Sequence, residues 1–340
     1  MKDLFCIILA GGIGSRFFPL SNKEHPKQFL DFFNEDQSLI QKTVERVSKF
    51  IDIKNIYILT NKKYSTLTEK HLKDIPKKNI LCEPIQKNTA ASIALGSFMI
   101  YKKNKNAKIL VCPSDHLINN HKKFKDTCLK AFENLNLINQ ITTIGIKPKN
   151  AHTGYGYIKT SNSKNNEITQ VKEFKEKPNK KTAQKFLKSK NYLWNSGIFI
   201  FSSKQIIEEY KLHQNKIYLA FKKILSDGKF NLKKCFSNLE NISFDYAILE
   251  KTKNISVIKT NMEWNDLGSY SSLYKEMEKS EFNNALNIKE KTLINSKNNL
   301  IILPKGKKII LNGIDNYIIV EKNNTLLIYP KSKDQEIGKL

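Results

Sequence analysis

Two basic side chains beside a glycine-rich loop are the residues of this sequence best suited to chemistry. The loop carries Gly11, Gly12 and Gly14, Arg16 follows it almost at once, and Lys27 lies in the next short segment. Glycine permits positive φ and lets backbone N–H groups approach an anion closely. Such a loop, flanked by two fixed cations, suits a polyphosphate, so we expect these five residues to contact one.

The loop differs from two common phosphate-binding motifs. No Gly-Lys-Ser/Thr closes it, as a Walker A loop requires. Phe17 stands where the dinucleotide-binding fingerprint places its third glycine. A glycine loop alone is more often a tight turn than a site. The prediction therefore depends on the whole segment LAGGIGSRFFPLS taken together with PKQFL.

Alternating strands and helices are predicted to position the loop. The unbroken apolar run Leu4–Ala10 ends at the first glycine and fits a strand buried on both faces, as in a parallel sheet. Similar runs recur at 55–60, 108–112 and 141–146, separated by segments with helical character. This alternation favours an α/β domain with a largely parallel sheet.

One acid occupies the position where open α/β sheets bind ligands. Asp115 lies just past the apolar run that ends at Cys112, at the carboxyl end of a predicted parallel strand. Mg²⁺ typically takes one or two protein carboxylates and completes its shell with phosphate and water. Asp115 is therefore a candidate magnesium ligand. The alternative is a helix N-cap, and the neighbouring His116 is interpreted as a bystander.

The strong positive charge raises the alternative of a nucleic-acid-binding protein. The formal net charge is +26, but Arg16 and Arg46 are the only arginines and the remaining basic residues are lysines. Base-edge readout and phosphate forks favour arginine. Scattered lysines are more typical of solvated surfaces, so no nucleic-acid partner is expected. A positive field would still attract anionic substrates.

The cysteines indicate a reducing compartment. Five cysteines form no C-x-x-C pair and leave an odd number, which disfavours structural zinc and a disulfide framework. The run Leu4–Ala10 is too short to span a bilayer and leads into a charged loop rather than a cleavage site. We therefore expect a soluble cytoplasmic protein with no membrane partner.

Taken together, the motifs give the chain a resemblance to the nucleoside-diphosphate-sugar pyrophosphorylases, in particular those that use GTP and mannose 1-phosphate. The resemblance covers nearly the whole chain. It rests on the two opening segments and, in order, on EPIQKNTAA, PSDH, TGYGYI, FKEKP, WNSG, SFDYAILE and WNDLGS. Two positions depart from the family pattern: Lys87 replaces an arginine and Ala91 replaces a proline. The first departure leaves open how that side chain meets the nucleotide.

The resemblance implies a role for each candidate site residue. Arg16 and Lys27 would be catalytic and act together with Mg²⁺, which Asp115 and Asp266 would bind. The nucleotide would contact Gly11, Gly12, Gly14, Ser15, Glu83, Lys87, Asn88 and Thr89. The sugar phosphate would contact Gly154, Glu176, Lys177 and Asn195.

Several of these segments also have an ordinary structural interpretation. FKEKP fits a charged turn in a lysine-rich protein, and EPIQKNTAA fits a turn followed by a helix that Asn88 or Thr89 caps. The ordinary interpretation of Trp194 is a residue of the hydrophobic core. The segment SFDYAILE, which spans residues 243–250, is predicted to be a mostly structural helix.

The last part of the chain has a different residue pattern. From residue 284, short β-rich pieces alternate with Asn, Gly and Lys. We expect a catalytic domain over 1–283, with a Rossmann-like mixed, mostly parallel sheet, and a small all-β domain over 284–340. The resemblance implies a short left-handed β-helix in the second domain, often near a subunit contact, so a homodimer is possible.

The expected reaction is GTP + α-D-mannose 1-phosphate ⇌ GDP-mannose + pyrophosphate. One alternative keeps the fold and changes the sugar to another hexose or heptose phosphate. The other alternative is the non-catalytic basic protein described above, which the two predicted metal-binding acids disfavour.

Overall fold

The computed structural model of the chain describes residues 2–161, 167–226 and 231–340. The strands are β1 Leu4–Ala10, β2 Ile56–Asn61, β3 Ile80–Glu83, β4 Lys108–Pro113, β5 Leu117–Ile118, β6 Ile141–Ile146, β7 Tyr157–Thr160, β8 Ile168–Lys175, β9 Tyr192–Ser202, β10 Ile255–Thr260, β11 Trp264–Asn265, β12 Ala285–Leu286, β13 Lys291–Ile294, β14 Leu300–Ile302, β15 Ile309–Asn312, β16 Tyr317–Lys322 and β17 Thr325–Pro330. The α-helices are α1 Leu39–Ser48, α2 Ser65–His71, α3 Asn88–Lys103, α4 His121–Leu137, α5 Lys180–Ser189, α6 Ser203–His213, α7 Asn215–Lys222, α8 Leu232–Ser237 and α9 Tyr270–Glu276.

These elements fall into two compact units, each described separately. The first unit comprises Met1–Gly11, Val44–Ser114 and Ile118–Trp264, and the second comprises Gly12–Thr43, Asp115–Leu117 and Asn265–Leu340. The predicted boundary between residues 283 and 284 falls inside the second unit. The division of the chain into a catalytic domain and a small β domain stays a prediction.

A nine-stranded sheet organises the first unit. Its order is β3-β2-β1-β4-β9-β6-β10-β8-β7. The apolar run Leu4–Ala10 forms β1 as predicted, and β1 lies in the parallel half of the sheet between β2 and β4. The predicted strands at 55–60, 108–112 and 141–146 correspond to β2, β4 and β6.

The sheet is mixed, and the expectation of a mostly parallel sheet holds only for part of it. The pairs β3-β2, β2-β1, β1-β4 and β6-β10 are parallel. In contrast, β9 runs antiparallel to both β4 and β6, and β8 runs antiparallel to β10 and β7. A buried strand has the same apolar pattern whether it pairs parallel or antiparallel. The hydrophobic pattern alone therefore could not assign the direction of β9.

Helix α3 packs a row of small residues against the parallel half of the sheet. Ala90, Ala91 and Ala94 are fully buried in the core that contains Ile7 of β1. A Cβ added at Gly96 would lie 2.7 Å from Ile7 Cδ1, so the helix and the strand approach closely there. This close packing holds the first turn of α3 next to the end of β3.

The second unit contains stacked parallel coils. Ala285 pairs in register with Leu300 and Leu300 with Ile318, while β13 pairs with β15 in a separate two-stranded sheet. Buried asparagines connect the coils, since Asn299 Nδ2 donates to Asn284 Oδ1 at 3.0 Å and Asn299 Oδ1 accepts from the Tyr317 N–H. Such an asparagine ladder satisfies backbone groups at the corners of the coils.

Two further sequence expectations can be compared with the fold. Among the residues that the structure describes, no helix is long and apolar enough to cross a bilayer. All five cysteines are free thiols, and Cys6, Cys112 and Cys128 are buried. A buried free thiol behaves as a small hydrophobic group.

Candidate active site

The glycine loop and Lys27 pack directly against each other in the second unit. Gly14 has φ +74°, and a Cβ added there would overlap the Cβ of Lys27, so a glycine is required for both conformation and space. The Lys27 N–H donates to the carbonyl of Ile13 at 3.0 Å, and the Ser21 hydroxyl donates to the carbonyl of Gly14 at 2.5 Å. The loop conformation therefore fixes the position of the Lys27 backbone.

The Lys27 ammonium joins the two predicted metal-binding segments. Lys27 is only 4% exposed, and its Nζ donates to Asp115 Oδ2 at 2.9 Å and to the backbone carbonyl of Asp266 at 2.7 Å. It also lies 5.8 Å from the centroid of the Phe17 ring. The sequence predicted that the carboxylates of Asp115 and Asp266 would share one metal ion. Lys27 contacts the carboxylate of Asp115 but only the backbone carbonyl of Asp266, so the shared ion stays a prediction.

The local charges keep Asp115 ionised. Burial raises the pKa of Asp115, but the positive charges of Lys27 and His116 lower this pKa by a larger amount. The net shift is therefore downward. The side chain of Asp115 is 34% exposed and remains accessible. Asp266 is half-buried, and its Oδ1 accepts from the Gly268 N–H at 3.1 Å. Two oxygen-donor residues therefore already hold one cation, the ammonium of Lys27.

Arg16 lies on a short 3-10 turn, Ser15–Phe17, that follows the loop. Its side chain is exposed, and its Nη1 donates to Gln335 Oε1 at 3.2 Å. The turn is anchored by Phe17, whose ring centroid lies 4.8 Å from that of Phe32 and 5.0 Å from that of Tyr270. Arg16 is thus an exposed cation on a rigid support.

In the first unit, the carboxylate of Glu83 points into the protein. Glu83 is 3% exposed and its Oε1 accepts a short hydrogen bond from the Ser92 hydroxyl of α3. Burial raises the pKa of Glu83 to about 7, partly offset by the bond from Ser92. This carboxyl group joins β3 to α3, and its contact with a nucleotide stays a prediction. The neighbouring Gln86 donates to the carbonyl of Gly11 at 3.1 Å.

The first residues of α3 include the predicted nucleotide contacts Asn88 and Thr89, and Lys87 comes directly before them. The N-cap position is Lys87, which makes no side-chain capping bond, so the prediction that Asn88 or Thr89 caps α3 is wrong. Asn88 has φ +64° and its Oδ1 accepts from the Thr89 N–H at 2.9 Å. Thr89 Oγ1 accepts from the Phe244 N–H at 2.8 Å, and Lys87 Nζ donates to the carbonyl of Ser237 at 3.5 Å. Asn88 and Thr89 thus stabilise this helix start and the segment that precedes Asp245.

A second polar cluster in the first unit contains the predicted sugar-binding residues. Glu176 is 8% exposed, its Oε1 lies 3.1 Å from Lys177 Nζ, and its Oε2 has no hydrogen-bond partner among the described residues. Asn195 Oδ1 accepts from Thr143 Oγ1 at 3.1 Å and from the Gly197 N–H at 3.2 Å. A buried carboxylate oxygen without a partner is costly unless a ligand supplies one.

Asp245 completes this cluster, although its segment was predicted to be mostly structural. Its Oδ1 accepts from Asn195 Nδ2 at 2.9 Å, and it begins a π-helical turn, Asp245–Leu249. Burial and the nearby charge of Glu176 raise the pKa of Asp245 to about 7. π-turns frequently occur at functional sites. The motif SFDYAILE was visible in the sequence, but its neighbours Glu176 and Asn195 are distant along the chain.

A cluster of aromatic side chains lies beside Gly154, a predicted contact of the sugar phosphate. The Gly154 N–H donates to His152 Nδ1 at 3.1 Å, and the His152 ring stacks on Tyr155 with centroids 3.9 Å apart. Tyr155 meets Trp194 edge-on at 5.0 Å and Trp264 at 5.2 Å. Trp194 is buried, in agreement with its interpretation as a core residue.

Across the described parts of the chain, no group of three or more His, Cys, Asp or Glu residues is placed to hold a metal ion. The pair Asp115 and Asp266 is smaller than such a group. Their role as magnesium ligands therefore stays a prediction.

Comparison with known proteins identifies the family of the chain. The family model described as nucleotidyl transferase matches residues 5–282. A mannose-1-phosphate guanylyltransferase of Salmonella muenchen is 34% identical over 353 residues, which cover 100% of this chain and 73% of that protein. The alginate biosynthesis protein AlgA of Pseudomonas aeruginosa is 30% identical, with 97% of this chain and 70% of that protein covered.

A solved structure supports the fold. A Thermus thermophilus protein described as a mannose-1-phosphate geranyltransferase superposes with a TM-score of 0.90 at 22% identity, covering 99% of this chain and 98% of that chain. At this identity the likeness concerns the fold alone. The match to the family model over most of the chain, and the identity to relatives over its whole length, show that the chain belongs to the nucleotidyl transferase family.

Proposed function

We propose that the protein catalyses GTP + α-D-mannose 1-phosphate ⇌ GDP-mannose + pyrophosphate. The reaction type is supported by one observation above all, the buried Lys27 held between the ionised Asp115 and the carbonyl of Asp266 beside a glycine loop. The choice of substrates is supported by the similarity of the whole chain to proteins named mannose-1-phosphate guanylyltransferase.

The chemistry is a displacement at phosphorus. A phosphate oxygen of mannose 1-phosphate attacks the α-phosphorus of GTP, the bond from that phosphorus to the bridging oxygen of the β-phosphate breaks, and pyrophosphate leaves. No general base is required, because the attacking phosphate is already ionised at neutral pH. The protein therefore has to position the reactants and stabilise negative charge. Arg16 and Lys27 would supply that charge stabilisation, and the backbone N–H groups of Gly12 and Gly14 would contact the phosphates.

Asp115 and Asp266 would hold a magnesium ion. When bound, Mg²⁺ acts as a Lewis acid on the phosphate oxygens and as a template for the triphosphate. The fit is supported by the accessible, ionised carboxylate of Asp115, which already holds the ammonium of Lys27, whereas Asp266 contacts that ammonium through its backbone carbonyl.

The cluster of Glu176, Lys177 and Asn195 would bind the sugar phosphate. Glu176 Oε2 is a buried acceptor without a partner among the described residues, and a sugar hydroxyl would supply the missing donor. Lys177 is exposed beside it and would meet the sugar phosphate as a point charge. Asn195 has two amide donors, of which one is used by Asp245.

The proposal is tested by measuring pyrophosphate release with each of four nucleoside triphosphates and a panel of hexose and heptose 1-phosphates. We expect GTP with mannose 1-phosphate to give the highest kcat/KM, by about tenfold or more over other pairs, since a pocket that hydrogen-bonds hydroxyls penalises their misplacement. A higher kcat/KM with another sugar phosphate would keep the reaction and replace the substrate. Affinity for DNA without any turnover would overturn the proposal.

Further expectations concern the whole protein. We infer that the stacked coils after residue 284 form a left-handed β-helix near a homodimer contact; their parallel register supports a β-helix. The free thiols support a cytoplasmic location. The burial of Arg46, one of only two arginines, argues against a nucleic-acid partner. Light scattering of the purified protein gives the number of subunits directly.

A further inference from the structure

The backbone near the end of the described chain lies against the residue proposed to stabilise charge. A Cβ added at Gly338 would lie 3.0 Å from Arg16 Cγ and 3.3 Å from Ser15 Oγ. One turn earlier, Gln335 Oε1 accepts from Arg16 Nη1 at 3.2 Å. The aliphatic stem of Arg16 therefore rests on the backbone of Gly338, and its guanidinium is held by Gln335.

The segment that makes these contacts, Lys331–Lys339, is firmly attached to the rest of the second unit. Asp334 is 6% exposed and its Oδ2 accepts from the Ser271 N–H at 3.1 Å, at the start of α9. Ile337 is fully buried in the same core cluster as Phe17. The contacts to Arg16 thus come from anchored residues and not from a loose tail.

The turn that carries Arg16 is held from α9 as well. The Tyr270 hydroxyl lies 2.9 Å from the carbonyl of Phe17 and 3.2 Å from that of Phe18 and can donate to either. The backbone of the turn is therefore fixed, and the long side chain of Arg16 is the part that keeps rotamer freedom. Ordering such a long side chain costs conformational entropy, so a support that orders it in advance favours its use in a transition state.

We propose that the segment Lys331–Lys339 is a positioning element for Arg16, in which Gly338 supports the stem and Gln335 orients the guanidinium. This inference deepens the proposed function and rests on it for the catalytic role of Arg16. It assigns a task to two residues that none of the recognised motifs contains. Gly338 has no positive φ, so a larger residue there acts through its contacts and not through backbone strain.

The kinetic test compares Gly338→Val and Gln335→Ala with the control Glu336→Ala. Glu336 is an exposed neighbour whose carboxylate contacts Tyr329 rather than Arg16. We expect Gly338→Val to lower kcat about tenfold or more and Gln335→Ala about threefold, with an unchanged KM for the sugar phosphate, as expected when a preorganised charge is misplaced. The control should keep the wild-type kcat. Wild-type kcat in both test variants would overturn the proposal.

A double-mutant cycle separates positioning from general damage. In the Arg16→Ala background, Gly338→Val should have no further effect on kcat, because the group through which it acts is gone. An equal loss of kcat in both backgrounds would show that the segment does not act through Arg16.

A third measurement is independent of the proposed function. Phenylglyoxal modifies arginines, and Arg46 is only 3% exposed, so peptide mass spectrometry can follow Arg16 alone. We expect Gln335→Ala to raise the modification rate of Arg16 about threefold or more, since removal of the acceptor frees the guanidinium. An unchanged rate would overturn the positioning role even if the wild-type enzyme used other substrates. A raised rate in a protein without turnover would reject the proposed function alone.

Discussion

At the scale of single residues, Lys27 combines three constraints that rarely coincide. It is almost fully buried, it touches the glycine of the loop, and its ammonium contacts both a carboxylate and a carbonyl. In the proposed reaction, these partners hold the ammonium in advance beside the place where negative charge develops.

We expect Lys27→Ala to lower kcat by about 10²-fold or more, the loss typical of a preorganised charge stabiliser. The measurement is the rate of pyrophosphate release at saturating GTP and mannose 1-phosphate. Lys23→Ala is the matched control, because Lys23 is an exposed lysine of the same segment. Turnover near the wild-type value in Lys27→Ala would remove this residue from catalysis.

Glu176 gives a second residue-scale prediction. Glu176→Gln replaces a carboxylate by an amide of nearly the same shape and should raise the KM for mannose 1-phosphate about tenfold, while the KM for GTP stays within about twofold. Glu173→Gln, at an exposed position of the preceding strand β8, is the control. A large rise in the KM for GTP with an unchanged sugar KM would reverse the assigned roles.

At the scale of elements, two acids from different segments meet in one buried cluster. Glu176 follows β8, and Asp245 begins the π-turn, so the fold pays an electrostatic cost to bring them together. Because the pKa of Asp245 in the folded protein is about 7, above its ordinary value, the folded state binds more protons than the unfolded state between about pH 4 and pH 7. Stability contributed by this site is therefore lost as the pH rises through that range.

Asp245→Asn should remove this loss. The side-chain oxygen at position 245 can still accept from Asn195, so we expect the variant to match the wild type near pH 4 and to exceed its free energy of unfolding at pH 8 by on the order of 4 kcal/mol, at 1.36 kcal/mol per pKa unit. Denaturant unfolding at several pH values measures the difference. Asp74→Asn, at an exposed acid, is the control. A difference that does not grow with pH would contradict the assigned ionisation of Asp245.

Hydrophobic pattern predicted the buried strands but not the contacts between distant segments. The apolar runs predicted the bounds of β1, β4 and β6 to within one residue, because a strand buried on both faces is a continuous run of apolar residues. The direction of β9 and the meeting of Asn195 with Asp245 depend on contacts between distant segments, which local pattern does not contain. The contacts of Gln335 and Gly338 with Arg16 carried no sequence signal either, since neither residue lies in a recognised motif.

At the scale of the whole molecule, the five thiols report on how well the core is closed. Cys6, Cys112 and Cys128 are buried, whereas Cys82 and Cys235 are half-buried. We expect a thiol reagent such as DTNB to label at most Cys82 and Cys235 quickly in the native protein and all five after unfolding in guanidinium. Rapid labelling of all five in the native protein would contradict the packing of β1 and β4.

In the proposed reaction, a phosphate oxygen of the sugar attacks the α-phosphorus of GTP and releases pyrophosphate. The most direct test supplies mannose 1-phosphate whose phosphate oxygens are labelled with ¹⁸O and analyses the products by mass spectrometry. We predict that GDP-mannose retains all of the label and that pyrophosphate carries none, because the Pα–O–Pβ bond of GTP is the only bond that breaks. Label in pyrophosphate, or no labelled GDP-mannose at all, would contradict the account.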